Sequence, residues 1–147
     1  MAKVLEVNDL RVYFHTPSGP VKAVDGINFS LEPGERFGLV GESGSGKTTT
    51  ALALMRLIKK PGKIESGEII VDQKDLLSLS ETEMRETRFS EISMIPQGAM
   101  NSLNPVMKIG EQLKDTLKAH KKYSGNKTHS KNEYHSIISS LLFSVGL

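Results

Sequence analysis

The eight residues Gly41 to Thr48, GESGSGKT, constrain this chain more than any other stretch. They fit G-x-x-x-x-G-K-[ST] at every defined position. The short apolar run Glu35 to Val40 (ERFGLV) precedes them, and TTTALALMRLIKK, rich in strong helix formers, begins at Thr48. Strand, glycine-rich loop and helix is the order in which this pattern has a mechanism. Glycine opens backbone angles closed to other residues, so the N–H groups along Gly41, Ser43, Gly44, Ser45 and Gly46 can converge on phosphate oxygens. The positive end of the following helix adds to the attraction. Lys47 is placed to reach the outer phosphates as a point charge, and the Thr48 hydroxyl to ligate a magnesium ion that keeps most of its waters. Thr49 can add one more phosphate hydrogen bond.

Around that loop the chain alternates apolar stretches with turn signals. Val4 to Phe14 and Val21 to Leu31 are expected as strands, separated by Pro17, Ser18, Gly19 and Pro20 and closed by Glu32, Pro33 and Gly34. ERFGLV is expected as a further strand, and the helix after the loop to stop near Lys59 and Lys60, ahead of Pro61 and Gly62. A turn is expected at Ser66 and Gly67, then a short strand over Glu68 to Val71. Ser80 and Glu83 have capping-box spacing, predicting a short polar helix to about Thr87. Ile92 to Ile95 predicts a brief strand ended by Pro96. Ile109, Leu113 and Leu117 lie four apart, on one helical face. Tyr123 to Asn132 is polar and basic, a connector. Tyr134, Ile137, Ile138, Leu141, Leu142 and Val145 then form a second apolar stripe ending at Gly146. Strands dominate the first two thirds and helices the last.

Composition narrows the function classes. At 147 residues one domain is expected, and 37% apolar residues with 13 glycines suit an ordinary soluble fold. Nineteen basic against seventeen acidic residues leave a net charge of +2, too near balance to indicate a nucleic-acid partner. The absence of cysteine excludes disulfides, thiolate metal sites and cysteine nucleophiles. No run reaches the roughly eighteen apolar residues of a membrane span, and MAKVLEVNDL lacks a signal-peptide layout. A cytosolic chain is expected.

With GESGSGKTTT in place, the chain resembles the ATP-binding subunits of ABC transporters, in particular the dipeptide and oligopeptide importer branch. The likeness extends through YF, VKAVDGINFSLEPGE, SGEIIVDQKDLLSLS and IPQGAMNSLNPVMKIGEQL. It implies an α/β P-loop NTPase fold: an incomplete ABC-type nucleotide-binding domain with an N-terminal antiparallel β element and the start of a helical subdomain. Residues 1–97 would form the nucleotide core and 98–147 part of the helical subdomain. ABC subunits carry a glutamine at the end of a strand, on the loop leading to that subdomain. Gln97 matches it, although Pro96 stands where the family often has an aromatic. By resemblance Gln97 contacts magnesium or the attacking water, so Lys47 and Gln97 would be the catalytic residues and Thr48 and Gln97 the metal contacts. Ser102, Leu103, Asn104 and Pro105 look like the peptide-importer version of the next segment. The family also stacks an aromatic on adenine. Phe14 is the first choice and Tyr13 the second, since strand alternation puts Val12 and Phe14 on one face and Tyr13 on the other.

The resemblance further implies ATP and Mg2+ as ligands, a second ATP-binding subunit as partner, transmembrane permease subunits, and indirectly an extracytoplasmic substrate-binding protein. The location would be cytoplasmic, peripheral on the inner face of the membrane. No signature motif, apolar strand ending in Asp-Glu, or switch histidine occurs in the 147 residues. The expectation is therefore the N-terminal part of a subunit that binds ATP with magnesium, turns it over little, and is marginally stable. Two alternatives are a non-hydrolysing nucleotide-binding regulatory module and another P-loop NTPase; a GTPase is disfavoured because no Asn-Lys-x-Asp string reads guanine.

The remaining signals are weaker. His15, His120, His129 and His135 show no metal-ligand spacing and are expected to be solvated or packed. Seven lysines between Lys108 and Lys131 face only Glu111 and Asp115, which reads as a solvated face. Leu54, Met55, Leu57 and Ile58 are expected in the core, and Asp25 with Gly26 in a turn between strands.

Overall fold

The computed structural model describes residues 3–98, 103–119 and 130–146. The chain divides into two compact units, Met1–Met94 and Ile95–Leu147.

The first unit is built on two long strands, β1 (Leu5–Thr16) and β2 (Gly19–Leu31), joined across Pro17 and Ser18. The Thr16 hydroxyl donates to the Gly19 carbonyl at 2.7 Å and closes the turn. β3 (Gly62–Val71) pairs antiparallel with the other side of β1, and the two-residue β4 (Lys74–Asp75) folds back on β3, giving the order β2-β1-β3-β4. Asp72 and Gln73 make that last turn with φ of 44° and 68°, the two left-handed residues a type I′ hairpin requires.

Strict alternation does not explain which side chains face inward. Val7, Leu10 and Val12 are all fully buried, although Leu10 lies three residues from Val7. The ladder shifts by one residue between Val7 and Leu10, and Asp9, at φ 44°, absorbs the extra residue while its N–H donates to Asn28 Oδ1 at 2.8 Å. This bulge restores the inward face. Two more shifts leave Gly26 and Ala23 of β2 without a partner in the register. Asp25 and Gly26 therefore lie inside β2 at a bulge, not in a turn between strands. Ser66 and Gly67 likewise lie within β3. At Gly67 a β-carbon would fall 2.6 Å from Leu10 Cα, so only glycine lets β3 pass the bulge in β1.

Val7, Leu10, Val12, Val24, Ile69 and Val71 of the sheet meet Ala53, Leu76 and Met84 to form the core. Ala53 belongs to α1 (Lys47–Leu54), and Met84 to α2 (Glu81–Thr87). The capping box at α2 is present: Ser80 N–H donates to Glu83 Oε2 at 2.8 Å and Glu83 N–H to Ser80 Oγ at 3.3 Å.

Three other expectations fail. ERFGLV forms no strand; Phe37 stacks on Phe29 with centroids 5.1 Å apart, but no strand among the described residues pairs with it, and Val40 is 90% exposed. The helix after the loop ends at Leu54, well before Lys59. Leu57 N–H donates to Leu52 O and Arg56 N–H to Ala53 O, a Schellman stop with Arg56 at φ 50° in the place usually taken by glycine. Ile92 to Ile95 contributes only an isolated bridge between Ile92 and Arg88. Of the expected core cluster, Met55 is buried and Leu54 and Ile58 pack against the core, whereas Leu57 is exposed.

In the second unit α3 (Ile109–Ala119) and α4 (Lys131–Ser144) follow the two predicted stripes. Leu113, Leu117, Ile137, Ile138 and Leu142 are half-buried and Tyr134 is buried, while Ile109, Leu141 and Val145 remain exposed. Asn132, assigned from sequence to the connector, lies in α4, whose start is capped by Ser130 and Glu133. Gln112 holds the segment before α3 by accepting from Asn104 N–H at 2.9 Å and donating to the Asn104 and Met107 carbonyls. Ser102, His120 and His129 lie outside the described residues.

Candidate functional site

Between Gly41 and Thr48 the backbone takes the angles the glycine pattern demands. Gly44 has φ 83° in a turn closed by Ser45 N–H to the Glu42 carbonyl at 3.2 Å. Gly46, at φ 87°, is the N-cap of α1, and a β-carbon there would lie 2.3 Å from the carbonyl oxygen of Ala23. The bulge in β2 thus explains why the last loop glycine cannot be replaced without displacing backbone. At Gly41 a β-carbon would approach Ser45 Oγ at 2.7 Å. Ser43, Gly44 and Ser45 are exposed.

Lys47 turns its ammonium back across the loop, donating to Gly41 O at 2.8 Å, Glu42 O at 2.5 Å and Ser45 Oγ at 3.2 Å. The cation therefore lies against the loop itself. No side chain caps the α1 N-terminus and no acid lies in its first turn, so the positive helix end is uncompensated. Thr48 is exposed and Thr49 half-buried, while Thr50 is buried with both its N–H and hydroxyl donating to Gly46 O, at 2.8 and 3.0 Å. Amides of an exposed loop and an uncapped helix start, one ammonium and an exposed threonine hydroxyl are the donor and ligand types that a magnesium-bound polyphosphate takes. The residues present fit that group.

The two aromatic candidates lie on opposite faces. Phe14 is half-buried on the core side, so close to β3 that a β-carbon at Gly62 would fall 2.7 Å from its ring. Tyr13 points outward, its hydroxyl donating to Asp25 Oδ1 at 2.5 Å with Lys22 Nζ 5.4 Å from its ring centroid. Asp25 also accepts from Arg11 at 2.9 Å and Lys22 at 3.2 Å. The Tyr13 hydroxyl, followed by Lys22, holds the Asp25 carboxyl below the ordinary carboxylate range. Gln97 lies in an exposed turn of the second unit. His15 Nε2 meets Glu65 Oε1 at 2.6 Å, a pair with no sequence signal, and together with Lys63 keeps the Glu65 carboxyl low. Sequence reasoning also missed Ala23, because a bulge in β2 leaves no mark on its apolar pattern.

Among the described residues no cluster of three or more His, Cys, Asp or Glu could hold a metal ion, and no helix is long and apolar enough to cross a membrane. The model of the ABC transporter family matches residues 24–145, which include the whole phosphate loop. The chain belongs to the ABC transporter family. Within that family it is 49% identical over 125 residues to the oligopeptide transport ATP-binding protein OppD of Bacillus subtilis, covering 84% of this chain and 35% of the relative. It is 52% identical over 118 residues to OppD of Salmonella typhimurium, covering 80% and 35%. It is 48% identical over 120 residues to the dipeptide transport ATP-binding protein DppD of Lactococcus lactis, covering 82% and 34%. The chain spans about a third of the length of the curated relatives it matches.

Proposed function

We propose that this chain is the nucleotide-binding part of an ATP-binding subunit that drives peptide import, and that Gly41 to Thr49 hold the phosphates of ATP. The observation that carries this reading is Lys47, whose ammonium is bonded across the loop to Gly41 O and Glu42 O. A phosphate oxygen would take the place of one of these acceptors, with the amides of Gly44 and Gly46 and of the first turn of α1 donating beside it. Thr48 and Gln97 would hold magnesium, which when bound supplies positive charge to the phosphate oxygens. Phe14, with Tyr13 as the alternative, would stack on adenine; the bond from the Tyr13 hydroxyl to Asp25 favours Phe14.

In this reading residues 1–97 serve the nucleotide and 98–147 begin the helical subdomain that meets transmembrane permease subunits. A second ATP-binding subunit completes the pair, an extracytoplasmic binding protein delivers the peptide, and the subunit lies on the cytoplasmic face of the membrane. Names of relatives that transport oligopeptides and dipeptides support the substrate class. The 147 residues alone would bind ATP with magnesium and turn it over little. Calorimetric titration with magnesium and ATP tests the site. Lys47→Ala removes one or more charged hydrogen bonds of about 1.5–3 kcal/mol each, a loss of roughly ten- to a hundredfold in affinity. Unchanged affinity in that variant would end the assignment.

A further inference from the structure

α1 has eight residues, about 12 Å of helix, and a helix so short does not hold its shape unaided. Its N-terminal end is fixed by the approach of Gly46 to Ala23. At its other end, two arginines do the corresponding work.

Arg56 occupies the left-handed position of the Schellman stop, where a non-glycine residue is unfavourable. Its side chain compensates by donating to the carbonyls of Leu76 at 3.0 Å and Leu79 at 2.6 Å, and by pairing with Glu81 at 2.8 Å. Arg88, at the C-cap of α2, reaches back to α1: its Nε donates to the Met55 carbonyl at 2.9 Å and a terminal nitrogen to the Arg56 carbonyl at 3.3 Å. The last carbonyls of a helix have no partner within it and carry its negative end, so a guanidinium is favoured there on both counts. Only 19% of the Arg56 side chain and 23% of that of Arg88 are exposed, and Glu81 faces both guanidinium groups.

We infer that Arg88 is a positioning residue for the phosphate loop: by holding the C-terminal end of α1 against α2, it fixes the direction in which the first-turn amides of that helix point. The inference rests on the nucleotide-binding reading but can fail separately from it. Arg88 meets the opposite end of α1 from the loop, so any effect on nucleotide must pass through the helix. Loss of the clamp frees the Met55 and Arg56 carbonyls and lets α1 tilt or fray, and the amide donors lose their alignment before any phosphate arrives.

The test uses the full chain with Arg88→Ala, Arg88→Lys and Glu81→Gln, each titrated with magnesium and ATP at a temperature where circular dichroism shows it folded. The expected loss of affinity is about tenfold for Arg88→Ala and smaller for Arg88→Lys, which keeps one charged donor. A second readout is amide hydrogen exchange without nucleotide. Exchange at the hydrogen-bonded amides of α1 and its stop, those of Thr50, Met55, Arg56 and Leu57, should accelerate in Arg88→Ala while that of β1 does not, a difference that general destabilisation would not produce. Equal acceleration in β1 and α1, or unchanged exchange and affinity, would overturn the inference. If Arg88→Ala does not fold, Arg88→Lys and Glu81→Gln carry the same comparison. If the native chain binds no ATP, the nucleotide reading fails, while amide exchange in α1 still decides whether the clamp exists.

Discussion

Two stretches of the first unit carry similar apolar patterns and meet different fates. Val7, Leu10 and Val12 of β1 are fully buried between two partner strands and the helices above them. Phe37, Leu39 and Val40 are comparably apolar and lie within four residues of one another, yet they form no strand, and all three are at least 47% exposed. The difference lies in what surrounds them. β1 finds β2 across a two-residue turn, whereas 35–40 is held by one ring stack on Phe29 and by the turn at Pro33 and Gly34. An apolar run states a preference; a strand needs a neighbour with free N–H and C=O groups.

The sharpest way to break this comparison is to make the same truncation in both regions. Leu10→Ala should cost about 2–5 kcal/mol, enough to unfold a unit of this size under mild conditions. Leu39→Ala should cost less, about 1 kcal/mol, since 47% of that residue is already exposed to water. Urea unfolding followed by circular dichroism measures both. Equal losses would mean that 35–40 is as buried in solution as β1.

Gly46→Ala and Gly34→Ala form a second, smaller contrast, because sheet and loop touch at Gly46. Both glycines have positive φ, 87° and 78°, so alanine at either should cost about 1–2 kcal/mol from the left-handed backbone alone. At Gly34 nothing lies within 4 Å, whereas at Gly46 the Ala23 carbonyl stands 2.3 Å from the new methyl. Gly46→Ala should therefore lose more stability than Gly34→Ala and also lose ATP binding, while Gly34→Ala keeps it. Equal stability losses with binding intact in both would show that the bulge in β2 does not brace the loop.

What could be read from the chain follows the same division between local and distant causes. The hairpin at Pro17 and Ser18, the cap at Ser80 and Glu83, the stripes of α3 and α4, and the angles of Gly44 and Gly46 are each decided within a few residues. The bulges at Asp9, Ala23 and Gly26 are not, because they arise from fitting β1 between two partners at once. The early end of α1 was hidden for a related reason: Arg56 takes a position usually marked by glycine, and what makes it tolerable are carbonyls twenty or more residues later. In the site, Lys47 and the glycines were legible as chemistry, whereas Ala23 and Arg88, which hold them in place, became visible only in the folded chain.

The smallest expected effect concerns acid, and it belongs to the sheet. Asp25 is held below the ordinary carboxylate range by Tyr13 and Lys22, and Glu65 by His15 and Lys63; all of these residues lie in β1, β2 or β3. A carboxyl with a lower pKa folded than unfolded binds fewer protons in the native state, so stability rises with pH through that range. The contribution is complete above the unfolded value and is lost as pH falls below it and through the lower folded one. Asp25 is exposed and Glu65 half-buried at the sheet surface, so the effect should be modest and weaken further with salt. Urea midpoints measured across this window should fall with acid, and Asp25→Asn with Glu65→Gln should flatten the slope. An unchanged slope in the double variant would mean that these ion pairs are too well solvated to couple the sheet to pH.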